Sequence, residues 1–274
     1  DCFTKDIIKG GKFLNNQRLA RIMAEEAPGR LKDLINWGAK FSGKIVKPPG
    51  QSYHRGVVFP GPSFGQVLKK RAQAVPQLQV LEYTVVLELV VENDTVVGAL
   101  ALNMVEGRFL LIRAKAVILA TGGGMNVYKH TTAPYELTGD GLAMAARVGA
   151  TLVDIEFPMF FPGLVAWPLA LNKVNVPYHL AASGQVYGHM YNRRGERFMA
   201  KWDSEKLERN TRDFLSVAIY NEIKNGHGSK HGGIFVSVKH LPDDLIDEIL
   251  EWDPERSFKK WGFGKNFFDM KHYL

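Results

Sequence analysis

The sequence predicts an α/β fold for its first part and a more irregular α+β region after it. Three observations predict this. A continuous apolar run, Ala116–Ala120, ends in Thr121-Gly122-Gly123-Gly124, and unbroken apolar runs suit strands covered on both faces. A helix of small residues follows from Thr138-Gly139-Asp140-Gly141 through Val148. Beyond residue 155 the chain turns aromatic and proline-rich, which places a domain boundary at 153/154.

The elements follow in order. Leu19, Ile22, Met23, Leu31, Leu34 and Ile35 recur at helical spacing over 13–37, with Asn15 or Asn16 as cap and Pro28-Gly29 as a break. Residues 43–62, rich in Gly and Pro, read as loop, and 63–75 as a second helix. Gln79–Tyr83, Val85–Val91, Val96–Met104 and Phe109–Arg113 read as strands, with a turn at Asn93-Asp94. Helix returns over 211–224 and 243–252.

Composition narrows the function classes. With 46% hydrophobic and 23% charged residues, the 274-residue chain is globular. At this length it can bury roughly 70–75% of its unfolded surface without covalent staples. A lone cysteine, Cys2, excludes an intrachain disulfide framework and a multi-cysteine metal site. The net charge is +7, but the basic residues are scattered and their runs short. That balance is compatible with nucleic acid, an anionic membrane surface or anionic substrates, and equally with acidic segments lying outside this piece. For nucleic acid no arginine-rich arm or zinc-finger spacing exists. The longest uncharged apolar stretch, Phe157 to Leu171, is broken by Pro158, Pro162 and Pro168 and is too short to span a bilayer. His227 and His231 stand four apart in a glycine-rich loop, a poor metal site because no helix presents them together.

Two segments carry chemistry. A buried strand ending in Ala120-Thr121-Gly122-Gly123 lets backbone approach a ligand at the strand's carboxyl end, since glycine brings no side chain; a plain tight turn is an equal reading. Asp140, bracketed by Gly139 and Gly141, could accept hydrogen bonds from cofactor hydroxyls or simply cap its helix.

The colinear series decides between these readings. Lys115-Ala-Val-Ile-Leu-Ala-Thr-Gly-Gly-Gly124, Tyr128, Thr131-Thr132-Ala-Pro134, Thr138-Gly-Asp-Gly-Leu-Ala-Met-Ala145 and Asp154-Ile-Glu-Phe157 resemble, in order, the succinate dehydrogenase/fumarate reductase flavoprotein family, to which L-aspartate oxidase also belongs. Upstream, Lys9-Gly10-Gly11, Glu25-Glu26-Ala27-Pro28 and Trp37-Gly38 are similar to its first long helix. His54-Arg55 resembles the loop leading to the helix at Ser63. Downstream, Asn192-Arg-Arg-Gly-Glu-Arg-Phe-Met199 and Arg212-Asp-Phe-Leu-Ser-Val-Ala-Ile219 resemble its capping domain.

The resemblance implies an FAD-dependent oxidoreductase subunit. Its fold would be a partial Rossmann-like FAD-binding domain over 1–153, lacking the N-terminal dinucleotide fingerprint, and a substrate-capping domain over 154–274. It implies hydride transfer between FAD and a small anionic substrate, electrons passed to an iron–sulfur partner, and a cytoplasmic place, peripheral to any membrane complex. Ala120, Thr121, Gly122, Gly123 and Asp140 match positions around FAD, and Thr84 one near its adenine side. Arg212 matches a catalytic arginine that gives or takes a proton. Arginine is a surprising acid. With Asn210 as N-cap, Arg212 would enter the first turn of a helix, where the dipole disfavours its charge. The expected whole is a longer subunit of which this chain is the middle part.

The resemblance breaks at two places. Phe161 stands where the family has a histidine that binds a substrate carboxylate, and phenylalanine has no donor. Leu180–Gly188 lacks the glutamate and arginine of the family's glycine-rich stretch. Two alternatives follow from these losses: an L-aspartate oxidase-like enzyme, and a non-catalytic flavoprotein serving as electron conduit or structural subunit.

Overall fold

Helix α1 (Cys2–Gly10) and helix α2 (Gln17–Asn36) open the chain and pack on one another. The computed structural model describes residues 1–43, 45–57, 59, 63–164, 166–167, 188–237 and 239–242. Asn16 caps α2, its Oδ1 accepting from the Leu19 N–H at 3.1 Å. Pro28 does not break α2, which runs through it. Proline removes one backbone donor and frees the carbonyl four residues back, that of Ala24, which is only half-buried. The expected loop at 43–62 carries a two-residue antiparallel ladder, β1 (Ile45–Val46) with β2 (Gly56–Val57), and helix α3 (Ser63–Gln73) follows.

A three-stranded antiparallel meander comes next: β3 (Thr84–Glu92), β4 (Thr95–Asn103) and β5 (Arg108–Arg113), in spatial order β3-β4-β5. Asn93 and Asp94 both take positive φ, 49° and 59°. This is what a two-residue hairpin of the primed type demands, and Asn and Asp tolerate it. At the second turn, Asn103 Oδ1 accepts from the N–H groups of Val105 (3.0 Å) and Glu106 (2.9 Å). Helix α4 (Asp140–Arg147) packs on β3, where Arg147 donates to Leu87 O at 3.3 Å.

Two expected strands are not formed. Gln79–Tyr83 is irregular, because Tyr83 turns through φ 53° and the segment finds no ladder. Ala116–Ala120 joins no ladder among the described residues, and Ile118 is 90% exposed. Its apolar run reads as a strand covered on both faces, whereas among the described residues only Val117 of the five is even half-buried.

Beyond 188 the elements are short: β6 (His189–Tyr191), helix α5 (Met199–Trp202), helix α6 (Arg212–Glu222) and β7 (Phe235–Ser237), which pairs antiparallel with β6. Met190, Phe198, Met199, Leu215 and Ala218 form their core. Asn192, fully buried, ties the turn after β6: its Oδ1 accepts from the Arg194 and Glu196 N–H groups, and its Nδ2 donates to Glu196 at 2.9 Å and to Glu222 at 3.1 Å. Buried Glu208 accepts from Arg197 Nε (3.0 Å), from a second Arg197 nitrogen (2.6 Å) and from the Met190 N–H (2.9 Å). The helix expected at 243–252 lies outside the described residues.

By contacts the chain divides into two units. One comprises Asp1–Pro76, Phe160–Ala166 and the described residues from 188 onward; the other comprises Gln77–Met159 with Trp167. The boundary expected at 153/154 lies near the later transition, while the transition at 76/77 has no counterpart in that expectation. Among the described residues no helix is long and apolar enough to cross a membrane.

Candidate functional site

In the second unit, the two glycine segments meet. Gly124 lies against Gly139, where an added Cβ would come 3.1 Å from the Gly139 Cα. Gly141 lies against Thr121 so closely that a Cβ would fall 1.8 Å from Thr121 Oγ1. Only a residue without a side chain lets the mouth of α4 reach that loop. Gly122 turns the chain at φ 74°, and nothing stands within 4 Å of where a Gly123 side chain would begin. Ala120, Thr121, Gly122 and Gly123 thus form an exposed backbone ledge beside the N-terminus of α4.

Asp140 is the first residue of α4, and Gly139, at φ 86°, occupies the cap position. The reading of Asp140 as an N-cap is therefore corrected. Its carboxylate accepts from the Thr138 hydroxyl and stays exposed. A carboxylate in a helix's first turn is also favoured by the dipole. The ledge and the carboxylate fit an extended polar cofactor: backbone can approach it closely, and Asp140 offers acceptors to its hydroxyls. Thr84 stands apart. It opens β3, its hydroxyl donates to Glu82 O at 3.0 Å, and no hydrogen bond joins it to either glycine segment among the described residues.

In the first unit, Arg212 is the first residue of α6, as the sequence implies, but the cap is Thr211. Asn210 instead donates to Asp203 (3.0 Å) and Leu207 O (3.2 Å), closing the preceding 3-10 turn. The Asp213 carboxyl is held below its usual range, chiefly by the Thr211 hydroxyl and also by Lys12, whose Nζ is 3.7 Å away. Gly50 lies alongside, with room for a Cβ only 3.4 Å from the Thr211 methyl. The Arg212 guanidinium rests over the ring of Phe161, 5.1 Å from its centroid. A cation at a helix N-terminus is repelled by the dipole, and an aromatic face beneath it offsets that repulsion. This contact is one that sequence reasoning did not foresee.

Arg55 is committed elsewhere. It donates to Asp6 at 2.5 Å and lies over the rings of Phe3 (4.3 Å) and Tyr53 (5.0 Å), tying its loop to α1. Sequence reasoning also missed Ser216 and Gly163, which hold Phe161. The only signal for Ser216 was its place four residues after Arg212, on one helix face. The altered Leu180–Gly188 stretch lies outside the described residues apart from Gly188.

A family model described as an FAD binding domain matches residues 2–259. That match places the chain in the class of FAD-binding flavoproteins. A Methanothermobacter marburgensis protein named as part of the CoM/CoB fumarate reductase is 35% identical over 260 residues, covering 92% of this chain and 47% of that protein. The mitochondrial succinate dehydrogenase flavoprotein subunit of rice is 31% identical, covering 89% of this chain and 41% of that one. An E. coli quinol fumarate reductase FrdA structure superposes with a TM-score of 0.81 at 25% identity, covering 90% of this chain and 45% of that one. The chain belongs to the family of succinate dehydrogenase and fumarate reductase flavoprotein subunits. It spans less than half the length of these relatives, and FAD is the cofactor the family match indicates.

Proposed function

We propose that this chain supplies flavin-facing and substrate-facing residues of an FAD-dependent oxidoreductase acting on a small anionic substrate. The observation that carries the reading is the meeting of the 121–124 loop with Gly139-Asp140-Gly141. It builds a backbone ledge and a carboxylate together, where a nucleotide cofactor needs both. FAD, when bound, supplies two-electron hydride chemistry. Ala120, Thr121, Gly122 and Gly123 would hold it by backbone approach, and Asp140 by accepting from its hydroxyls. Arg212 would bind the substrate's carboxylate and handle the proton at its guanidinium. Thr84 is proposed near the adenine side on resemblance alone.

Electrons would pass onward to an iron–sulfur subunit, consistent with relatives named as subunits of succinate dehydrogenase and fumarate reductase. The placement of Arg212 at the start of α6, as in the family's order, favours this over a conduit without catalysis. Two substitutions test it. Asp140→Ala should lower the flavin retained per chain through gel filtration. Arg212→Gln should abolish substrate-dependent bleaching of the flavin while leaving flavin content intact. Unchanged flavin content in Asp140→Ala, or unchanged bleaching in Arg212→Gln, would overturn the corresponding assignment.

A further inference from the structure

Arg212 and Ser216 lie one turn apart on the same face of α6. The Ser216 hydroxyl donates to the Phe160 carbonyl at 2.9 Å and clips the incoming segment to the helix. The next residue, Phe161, puts its ring under the Arg212 guanidinium at 5.1 Å and also packs against the core of Met190, Phe198, Met199, Leu215 and Ala218. Past it the chain doubles back. The Gly163 N–H donates to Phe161 O at 2.9 Å, and Gly163 is buried so close to the ring that a Cβ would stand 2.3 Å from Phe161 Cε1. Three independent constraints therefore fix one ring: a hydroxyl clip before it, a glycine behind it, and core packing beside it. Among the described residues the guanidinium makes no hydrogen bond or ion pair, so the ring holds it by the face and leaves its N–H edge open.

We propose that Phe161 is the positioning residue of Arg212 and the specificity-determining wall of its site, with Ser216 as the anchor of that wall. Arg212 takes an anion by its edge, and the part of the substrate facing residue 161 is apolar: an α,β-unsaturated monocarboxylate fits better than a dicarboxylate. A phenyl ring offers no donor to a second carboxylate, and its face is already taken by the Arg212 guanidinium. This deepens, and rests on, the reading of Arg212 as substrate-facing.

The first test needs no flavin. In protein carrying 15N-arginine, the Arg212 Nε–Hε resonance is assigned by its loss in Arg212→Lys. It should lie upfield, shifted by the ring. Phe161→Leu and Ser216→Ala should return it toward the position of exposed arginines, and Phe161→Tyr should keep it upfield. A resonance that Phe161→Leu does not move overturns the positioning role. The second test measures crotonate and fumarate binding to the FAD-loaded protein by calorimetry. Wild type should bind crotonate at least as tightly as fumarate. Phe161→His should gain about tenfold for fumarate, the scale of one charge-assisted hydrogen bond, with little change for crotonate. An unchanged ratio overturns the selectivity. If Arg212→Gln still binds both probes while the resonance behaves as expected, the substrate-facing reading fails and the positioning stands.

Discussion

Glu208 is the most deeply buried charge among the described residues, and its removal should be felt throughout the unit that contains it. The side chain is 1% exposed and meets Arg197, itself 32% exposed. Two guanidinium nitrogens and the Met190 N–H all point at its oxygens. Glu208→Ala leaves a guanidinium without its counter-charge and a backbone N–H of β6 without an acceptor. Breaking a fully buried pair costs about 3–5 kcal/mol. Arg197 can partly turn to water, so the lower half of that range, about 3 kcal/mol, is expected after this correction. For a chain of this size that corresponds to a fall in Tm of about 6–12 °C. Glu208→Gln should cost less, because one amide oxygen still accepts while the amide nitrogen faces donors. Urea unfolding followed by circular dichroism measures both variants.

The pH dependence adds a second check on the same residue. Burial raises the Glu208 carboxyl, but Arg197 and the Met190 N–H outweigh it, and the group sits below its ordinary value. A carboxyl lowered in the folded state contributes stability that is fully present above its unfolded value, roughly 4.3. That contribution is lost as pH falls through the folded value. Wild type should therefore lose stability below that point more steeply than Glu208→Ala. A Glu208→Ala variant within about 1 kcal/mol of wild type at pH 7, the scale of one ordinary hydrogen bond, would refute the reasoning.

Two further outcomes are expected. Gly141→Ala places a methyl 1.8 Å from Thr121 Oγ1; overpacking of this kind costs about 1–3 kcal/mol. Thermal melts should show the loss, flavin retention should fall with it, and Thr121→Ala in the same chain should partly restore both. Glu196 is pulled down to about 2, first by Lys201 and then by Asn192. A carboxyl-detected NMR titration should find it charged down to that region, and Lys201→Ala should move its midpoint upward; a midpoint indifferent to Lys201 would remove the explanation.

Much of the fold was legible because local chemistry decides it. Asn16 caps α2 as its side chain permits, and Asn93-Asp94, with positive φ at both residues, makes a two-residue turn that suits a twisted hairpin. The glycine segments and Asp140 stand together, as the resemblance of the two segments implies. What escaped was set by distant partners. Asn210 looked like a cap, but Asp203 and Leu207 claim its amide. Ala116–Ala120 carries the pattern of a doubly covered strand, and periodicity cannot say whether a covering layer is present. Phe161 was readable as a missing donor, yet its contact with Arg212 depends on Ser216, which holds the Phe160 carbonyl from 56 residues away.

The bare run from Ala116 to Ala120 also governs how the chain behaves in company. An unpaired, uncharged segment rich in Val, Ile and Leu, with Ile118 open to water, offers its backbone donors and acceptors to a neighbouring copy. Such stretches seed intermolecular cross-β stacking when crowded, unless a charged gatekeeper flanks them. Lys115 and Arg113 stand at one end, while the other end is a glycine turn without charge. The net positive charge of the chain opposes such pairing between copies.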